Sequence, residues 1–439
     1  MEFIKDSRIT IKKAGVTKAT VTSAYIESLT TIKETDISAN YTPCGECTAI
    51  IDESAPNISS LLSLSASDYD DLIAVVEVLW SDRQSYDVYG TYYIDSILPD
   101  IENHSITVQA YDILYKLGQS QYGGVNVQIS DPDTDPTFPT FYDASLDVYA
   151  DTVSLSAGID PVSYLADMIL IKSHGFILSS THREAYRQIA EAGAAALFVD
   201  DNGVVTFGDV IRSEDDVPDM SIDYSDIVAD SLSDTIKSVD VALSLNLYQF
   251  YVNEPKKGLS DAKVITIAGY STKRFRIEYD VYPAIAVEVT CPSSGISLSL
   301  LDPVYPDNVV VTVTNTTPNA ITSTLTVLGI PISYDAKPYA NASTSIKKKA
   351  VKIDNPLITK SAAALEVSFI NNNIIYGNHR HNMELFGVRA GLLDVIDVAG
   401  DYYLTVDRIV TKITGGDYKI TVEGYEYHPE TVSLNAPEE

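Results

Sequence analysis

Residues 179–207, SSTHREAYRQIAEAGAAALFVDDNGVVTF, constrain the chain more tightly than any other stretch. Thr181 and Glu184 have capping-box spacing: the hydroxyl accepts from a first-turn amide while the carboxylate reaches back. Tyr186, Ile189, Ala190, Gly193 and Leu197 then recur at helical spacing and share one face. The small run Ala194-Ala195-Ala196 would let this helix, predicted over 182–196, approach a neighbour closely. Leu197-Phe198-Val199 and Val204-Val205-Thr206-Phe207 flank Asp200-Asp201-Asn202-Gly203. Asn and Gly tolerate positive φ, so Asn-Gly between two apolar runs predicts a hairpin. The stretch reads as helix, strand, tight turn, strand, with no catalytic arrangement.

At 439 residues the chain is long enough for two to four domains. Its 45% apolar content supports real cores. A net charge of −31 argues against nucleic-acid affinity, because phosphates are repelled. The 29 Tyr and 10 Phe against one Trp lean towards β structure. Three cysteines imply no disulfide framework. The start, MEFIKDSRIT, has no apolar signal region, and no window approaches 18 uninterrupted apolar residues. The expectation is synthesis in a cytoplasm, with no membrane anchor and exit only by lysis or within a particle.

The N-terminal quarter reads as strands over 20–29, 47–52, 88–94 and 105–111, with a short helix at 113–117. Leu72–Leu79 is strand by its Ile and Val content; a helix capped by Asp68, Asp70 or Asp71 is the alternative. Residues 119–153 read as loop-rich, with 131–136 as a connector. Asp160 and Pro161 then predict a helix start, with Tyr164, Leu165, Met168 and Ile169 on one face and Gly175 as C-cap. This helix is expected to pack on the one at 182–196, beside the hairpin. An acidic linker covers 213–219 and a long strand 233–247. The Tyr-, Val- and Thr-rich block 260–333 reads as a β-sandwich-like insert. Asn355-Pro356 precedes a helix or extended run over 361–369. The strand 402–413, Gly415-Gly416 and the strand 418–425 form a hairpin, with Tyr418, Ile420 and Val422 on one face.

Candidate chemistry is sparse. Cys44 and Cys47 have redox spacing, but the pair opens a strand rather than a helix, and a zinc site needs two more ligands. His379 and His381 share a face if extended, without a third ligand; a polar loop or interface strand is the stronger reading. Asp131, Asp133 and Asp135 start like a calcium loop, yet its sixth and twelfth positions are Pro136 and Tyr142 instead of Gly and Glu. Lys347-Lys348-Lys349 is the one basic cluster noted. No G-x-S-x-G, H-E-x-x-H or Walker loop occurs.

Three segments, in order, resemble bacteriophage tail hub proteins. The first has the form T-x-R-E-x-x-x-x-I-A followed by D-x-D/N-G-x-x-x-F: Thr181, Arg183, Glu184, Ile189, Ala190, Asp200, Asn202, Gly203 and Phe207. The second is a strand ending A-x-D before a small helix: Ala110, Tyr111, Asp112. The third is an N-P element, a G-D-x-I/V strand and a G-G hairpin: Asn355, Pro356, Asp394, Ile396, Gly415 and Gly416. Leu393 departs from it, standing where the family pattern has glycine.

The resemblance implies a mostly β fold with a small α/β domain, two barrel-like tube domains and an inserted β-sandwich-like unit. Its domains would be 1–118 (first tube domain), 119–215 (α/β), 216–250 with 335–439 (second tube domain) and 251–334 (β insert). It further implies a homotrimeric ring at the distal tail tip of a phage or tailocin, made in the bacterial host cytoplasm. The implied partners are a hexameric distal tail or tail tube protein, the tape measure protein C-terminus, and spike or fibre proteins. DNA would pass through the lumen without specific binding. No cofactor, metal or catalytic residue is expected. The chain stops at Glu439, a dozen residues past its last strand, so the C-terminal peptidase or lysin of some relatives is expected to be absent. The alternatives are a carbohydrate- or surface-binding adhesion module, suggested by the Tyr-rich insert, and a cell-wall hydrolase.

Overall fold

The computed structural model describes residues 3–36, 42–63, 69, 71–130, 140–160, 162–210, 217–233, 241–252, 256–301, 304–342, 349–359, 379–414 and 417–427. The motif glycines Gly415 and Gly416, the proline Pro161, the Asp131–Asp135 run, Lys347-Lys348 and the 361–369 segment lie outside these.

Period-2 alternation builds most of the molecule. In Glu46–Asp52, Cys47, Ala49 and Ile51 are buried and the residues between them are not. Leu72–Trp80 is a strand, as its Ile and Val content predicts. It is paired on both sides, by Ile4–Lys13 and Asp87–Asp100; Leu72, Ala74, Val76, Val78 and Trp80 are buried on one face and Val75 on the other. Its one acid, Glu77, lies between Arg8 and Thr10 on the neighbouring strand and accepts hydrogen bonds from both.

These strands join one 13-stranded sheet. Its main path runs Ile227–Ser233, Arg380–Leu385, Asp417–Tyr427, Tyr402–Thr414, Ile26–Glu34, Glu46–Asp52, Ser105–Tyr111, Asp87–Asp100, Leu72–Trp80, Ile4–Lys13, Val16–Thr22. Val395–Val398 and Met220–Ile222 complete it off that path. The N-terminal and C-terminal strand groups meet where Ile26–Glu34 pairs antiparallel with Tyr402–Thr414, Ser28 opposite Thr414 and Glu34 opposite Arg408. One apolar core serves both groups, from Ile9, Ile11 and Leu29 to Met383, Val406, Ile420 and Val422. A register shift between Val406 and Arg408 bulges the strand at Asp407.

A second core gathers the α/β part, built on α1 (Ile113–Gln119), α2 (Leu146–Ala157), α3 (Ala166–Leu170) and α4 (His182–Ala192). The hairpin Ala195–Val199 with Val205–Asp209 forms as expected from Asn202-Gly203, and Gly203 takes φ +87°. Five expectations are corrected here. Residues 119–153 are not all loop: α2 begins within them and ends at Gly158, whose φ of +66° makes it the C-cap. The helix predicted from Asp160 shrinks to α3, because Ser163 is drawn into β-type bonding with Val205 and Phe207 of the hairpin. Gly175 caps no helix. The α4 helix stops at Ala192, and Ala195 and Ala196 begin the following strand instead of extending it. It is therefore α2, not the 164–170 piece, that gives α4 its main helical neighbour, with Ser154 Oγ and Tyr186 Oη 2.7 Å apart.

The insert is a sandwich. Ile321–Pro331 pairs with Lys257–Gly258, Lys263–Ile267 and Ala284–Thr290; Thr272–Glu278, Asn308–Asn315 and Ile296–Leu300 form the facing sheet. Between them Ile265, Ile267, Val309, Val311, Val313 and Leu325 make a third core. Val241–Tyr251, Ser333–Ala342 and Lys349–Ile353 form a separate three-stranded sheet leading into and out of the insert. The strand expected over 233–247 is recovered from Val241 onward, while Ser233 ends the preceding strand.

Candidate functional site

The described motif residues (all but Gly415 and Gly416) lie in and around the joint between α4 and the 13-stranded sheet. Ala110 is buried in the sheet core, and Tyr111 stacks on Tyr115 with ring centroids 4.3 Å apart. Asp112 caps α1 by accepting from Leu114 N–H at 2.9 Å, and its other oxygen accepts from Gly45 N–H. The carboxyl is buried, and burial pushes its pKa up to about 7 against the pull of those amides and of Arg183.

Arg183 Nη1 donates to Cys44 Sγ at 2.7 Å. Its guanidinium also lies against Gly118, where a Cβ would stand 2.8 Å from Cζ. Burial, reinforced by Asp112, pushes the Cys44 thiol up to about 11 despite Arg183; burial alone pushes Cys47 to about 12. Both are therefore predominantly protonated at neutral pH, which lowers their reactivity as nucleophiles. Cys44, Cys47 and Cys291 are all free cysteines.

Thr181 caps α4 by accepting from Glu184 N–H at 3.2 Å. The Glu184 carboxylate turns instead to Arg187, at 2.7 Å. Arg187 also pairs with Glu191 one turn on, at 3.6 Å. Ile189 and Ala190 are buried beneath. Asn355, 1% exposed, donates to Gln188 O at 2.7 Å and Glu191 Oε2 at 3.0 Å, and accepts from Leu357 N–H. The N-P element is thus fastened to the C-terminal turn of α4. Gly175 faces Pro356: a Cβ there would lie 1.9 Å from the Pro356 carbonyl oxygen, so only glycine fits.

The hairpin tip docks on the sheet. Asp200 accepts from Val204 N–H, closing the turn. Lys33 Nζ pairs with Asp201 at 2.6 Å, and Thr91 Oγ1 donates to Asp201 O. Gly203 lies against Thr91, and Thr35 Oγ1 donates to Leu197 O. Asn202 forms the tip with them. Asp394 closes its own loop by accepting from Gly391 N–H, and burial raises its pKa. Leu393 has φ +66°, a left-handed conformation that glycine adopts without strain. Its side chain covers Gly208 of the hairpin, where a Cβ would lie 2.2 Å from Leu393 Cδ1. This departure from the family pattern is a strained residue held by its packing.

His381 is buried with Nδ1 3.0 Å from Asp230 and Nε2 3.0 Å from Glu426, its ring stacked on Tyr402. It sits in a strand paired on both sides, while His379 is exposed and separate from it. Beside it Arg380 pairs with Asp407 and Glu423, and Arg408 with Glu34 and Glu423. Burial lifts Asp407 to about 7 in spite of Arg380. This ionic knot ties the two strand groups together. Sequence reading missed it, along with Lys33, and gave Gly175 a different role, because each has its partner far along the chain. Among the described residues no group of three His, Cys, Asp or Glu side chains is placed to hold a metal ion.

The arrangement is a set of internal fastenings that hold the two strand groups and the α/β part together. No protein-family model and no curated sequence matches the chain. In three dimensions it is similar to the tail protein from Neisseria meningitidis MC58, with a TM-score of 0.50 and 9% identity over 97% of this chain and 98% of that one. It is also similar to the 43 kDa tail protein of prophage MuSo2 from Shewanella oneidensis (TM-score 0.49, 9% identity, 95% and 96% covered). A third is prophage tail protein gp18 from Listeria monocytogenes EGD-e (TM-score 0.42, 7% identity, 95% and 94% covered). The Neisseria match, nearly end to end, shows that this chain shares the fold of that tail protein.

Proposed function

We propose that the chain is a structural subunit of a phage or phage-derived tail tip: a hub, three copies of which form a ring at the distal end of the tail tube. The observation that carries this reading is the continuous sheet in which N-terminal and C-terminal strand groups stand side by side through Ile26–Glu34 and Tyr402–Thr414. Two such groups per chain let three chains present six units to a sixfold tube. Among the described residues both ends of the main path, Val16–Thr22 and Ile227–Ser233, are edge strands, and open edges are usually paired or covered. A neighbouring copy would cover them through a heterologous contact that closes into a ring. The tube or distal tail protein, the tape measure protein and a spike or fibre protein are the partners this reading assigns. It assigns no catalytic step, since the buried carboxyls Asp112 and Asp407 are bonded to structural neighbours.

The test is the mass of the assembled species. Three copies of 47.8 kDa give particles of about 143 kDa. A chain that stays monomeric at micromolar concentration, alone and mixed with its tail ring, contradicts the hub reading. Clearing of purified cell walls by the chain, lost on changing one or two carboxylates, contradicts the non-enzymatic part.

A further inference from the structure

The outer face of the sandwich runs against the charge of the whole. Residues 263–276, KVITIAGYSTKRFR, contain Lys263, Lys273, Arg274 and Arg276 and no acid, in a chain of net charge −31. The strand Thr272–Glu278 explains how they are displayed. Ile277 points into the core and Phe275 packs against it, so Thr272, Arg274 and Arg276 face outward. Arg274 lies opposite Thr312, and Thr312 opposite Ser299 on the third strand. One step along, Thr272 lies opposite Thr314, their hydroxyls 3.0 Å apart, and Thr314 lies opposite Ser297. The result is a flat face in which rows of hydroxyls run across three strands from an edge of guanidinium groups. Lys263 reaches the same edge, its ammonium 5.9 Å over the Phe275 ring and bonded to Arg276 O. Arg274 and Arg276 are exposed, and among the described residues neither forms an ion pair. Glu278, opposite Asn308, is the one acid on this strand.

We infer that this face binds an acidic polysaccharide. Charge selects an anion, which the four basic side chains attract locally against the repulsion of a chain of net charge −31. The hydroxyl rows select the kind of anion. Protein interfaces are anchored by aromatic and apolar side chains; here the outward face of the three strands offers Val310, with Tyr270 and Val264 exposed only at its margin. A sugar polymer, itself a ladder of hydroxyls, exchanges hydrogen bonds with Thr and Ser at many points. Planar guanidinium forks take carboxylates in two-point contact. Arg274 and Arg276 stand about 6.8 Å apart along the strand, so they can engage two carboxylates of one chain. This inference is independent of the ring reading, since it concerns the sandwich alone.

The experiment measures binding of the full chain to polygalacturonate, with neutral dextran, polyphosphate and duplex DNA alongside, at 50 and 150 mM salt. Binding to polygalacturonate, weakened by salt and absent for dextran, is expected. Arg274→Gln with Arg276→Gln should lower the affinity about tenfold or more, the scale of losing charge-assisted bonds. The substitutions are on an exposed face, and an unchanged melting temperature confirms folding. Lys18→Gln, a charge change on an edge of the large sheet, should leave binding intact. Thr312→Val with Ser299→Ala should weaken polygalacturonate and spare any residual polyphosphate binding. No binding to polygalacturonate at 50 mM salt overturns the inference. So does equal binding of polyphosphate or duplex DNA, or binding indifferent to the arginine pair.

Discussion

At the scale of single residues, the joint is held by side chains that pay for burial with hydrogen bonds. Asp112 is the clearest. Its folded pKa of about 7 lies above the ordinary 3.8, so the fold favours the protonated carboxyl. The stability it contributes is complete below pH 4 and is lost as the pH rises through 7. Asp112→Asn cannot ionise, but its amide can accept from only one of Leu114 N–H and Gly45 N–H. The variant is expected to be less stable than the parent by about 1–3 kcal/mol at pH 5. That gap should narrow at pH 8, where the parent carries the buried charge. Denaturant midpoints at the two pH values measure it; a gap that widens with pH would mean the carboxylate, not the acid, is the native form. The difference between parent and variant isolates this residue from Asp407, which titrates in the same range.

Between elements, the contact of the hairpin with the 391–394 loop is the most testable. Leu393 holds a left-handed backbone at a cost of about 1–3 kcal/mol, offset by covering Gly208. Gly208→Ala drives a methyl into Leu393 Cδ1 and Phe198 Cε1 and should destabilise by about 1–3 kcal/mol. Leu393→Gly removes both the strain and the obstructing side chain. The double variant should therefore recover part of the loss, a coupling that a double-mutant cycle reads directly; strictly additive losses would show that the two residues do not touch. The same elements show what the sequence discloses. Asn202-Gly203 and Thr181 are legible because a hairpin turn and a helix cap are written within four residues. The resemblance marked position 393 as unusual before its φ was known. The α2 helix was legible in Leu146, Tyr149, Ala150, Val153 and Gly158, yet the loop-forming composition around it masked that spacing. The helix after Asp160 carried good local signals that lost to pairing of Ser163 with the hairpin. The seam between Ile26–Glu34 and Tyr402–Thr414 left no local mark, since neither strand's own pattern names its neighbour.

For the whole molecule, charge sets what can slide past it. If three copies ring a channel, their combined acidity repels duplex phosphates and lets DNA pass. No retention of duplex DNA by the chain is expected at 150 mM salt. In the assembled ring the channel wall should be more acidic than the outside; a channel no more acidic than the outer wall counts against this. The seam between the two strand groups has a further consequence, in time. Ser28 waits for Thr414, and at 5–20 residues per second a ribosome takes roughly 20–80 s to make the stretch between them. Throughout that interval one side of an otherwise finished strand group has no mate from its own chain. Many nascent copies on neighbouring ribosomes would offer one another the same vacant side. Sparser ribosome loading on the messenger is therefore expected to raise the share of chain that folds, which the soluble yield at two initiation strengths would measure.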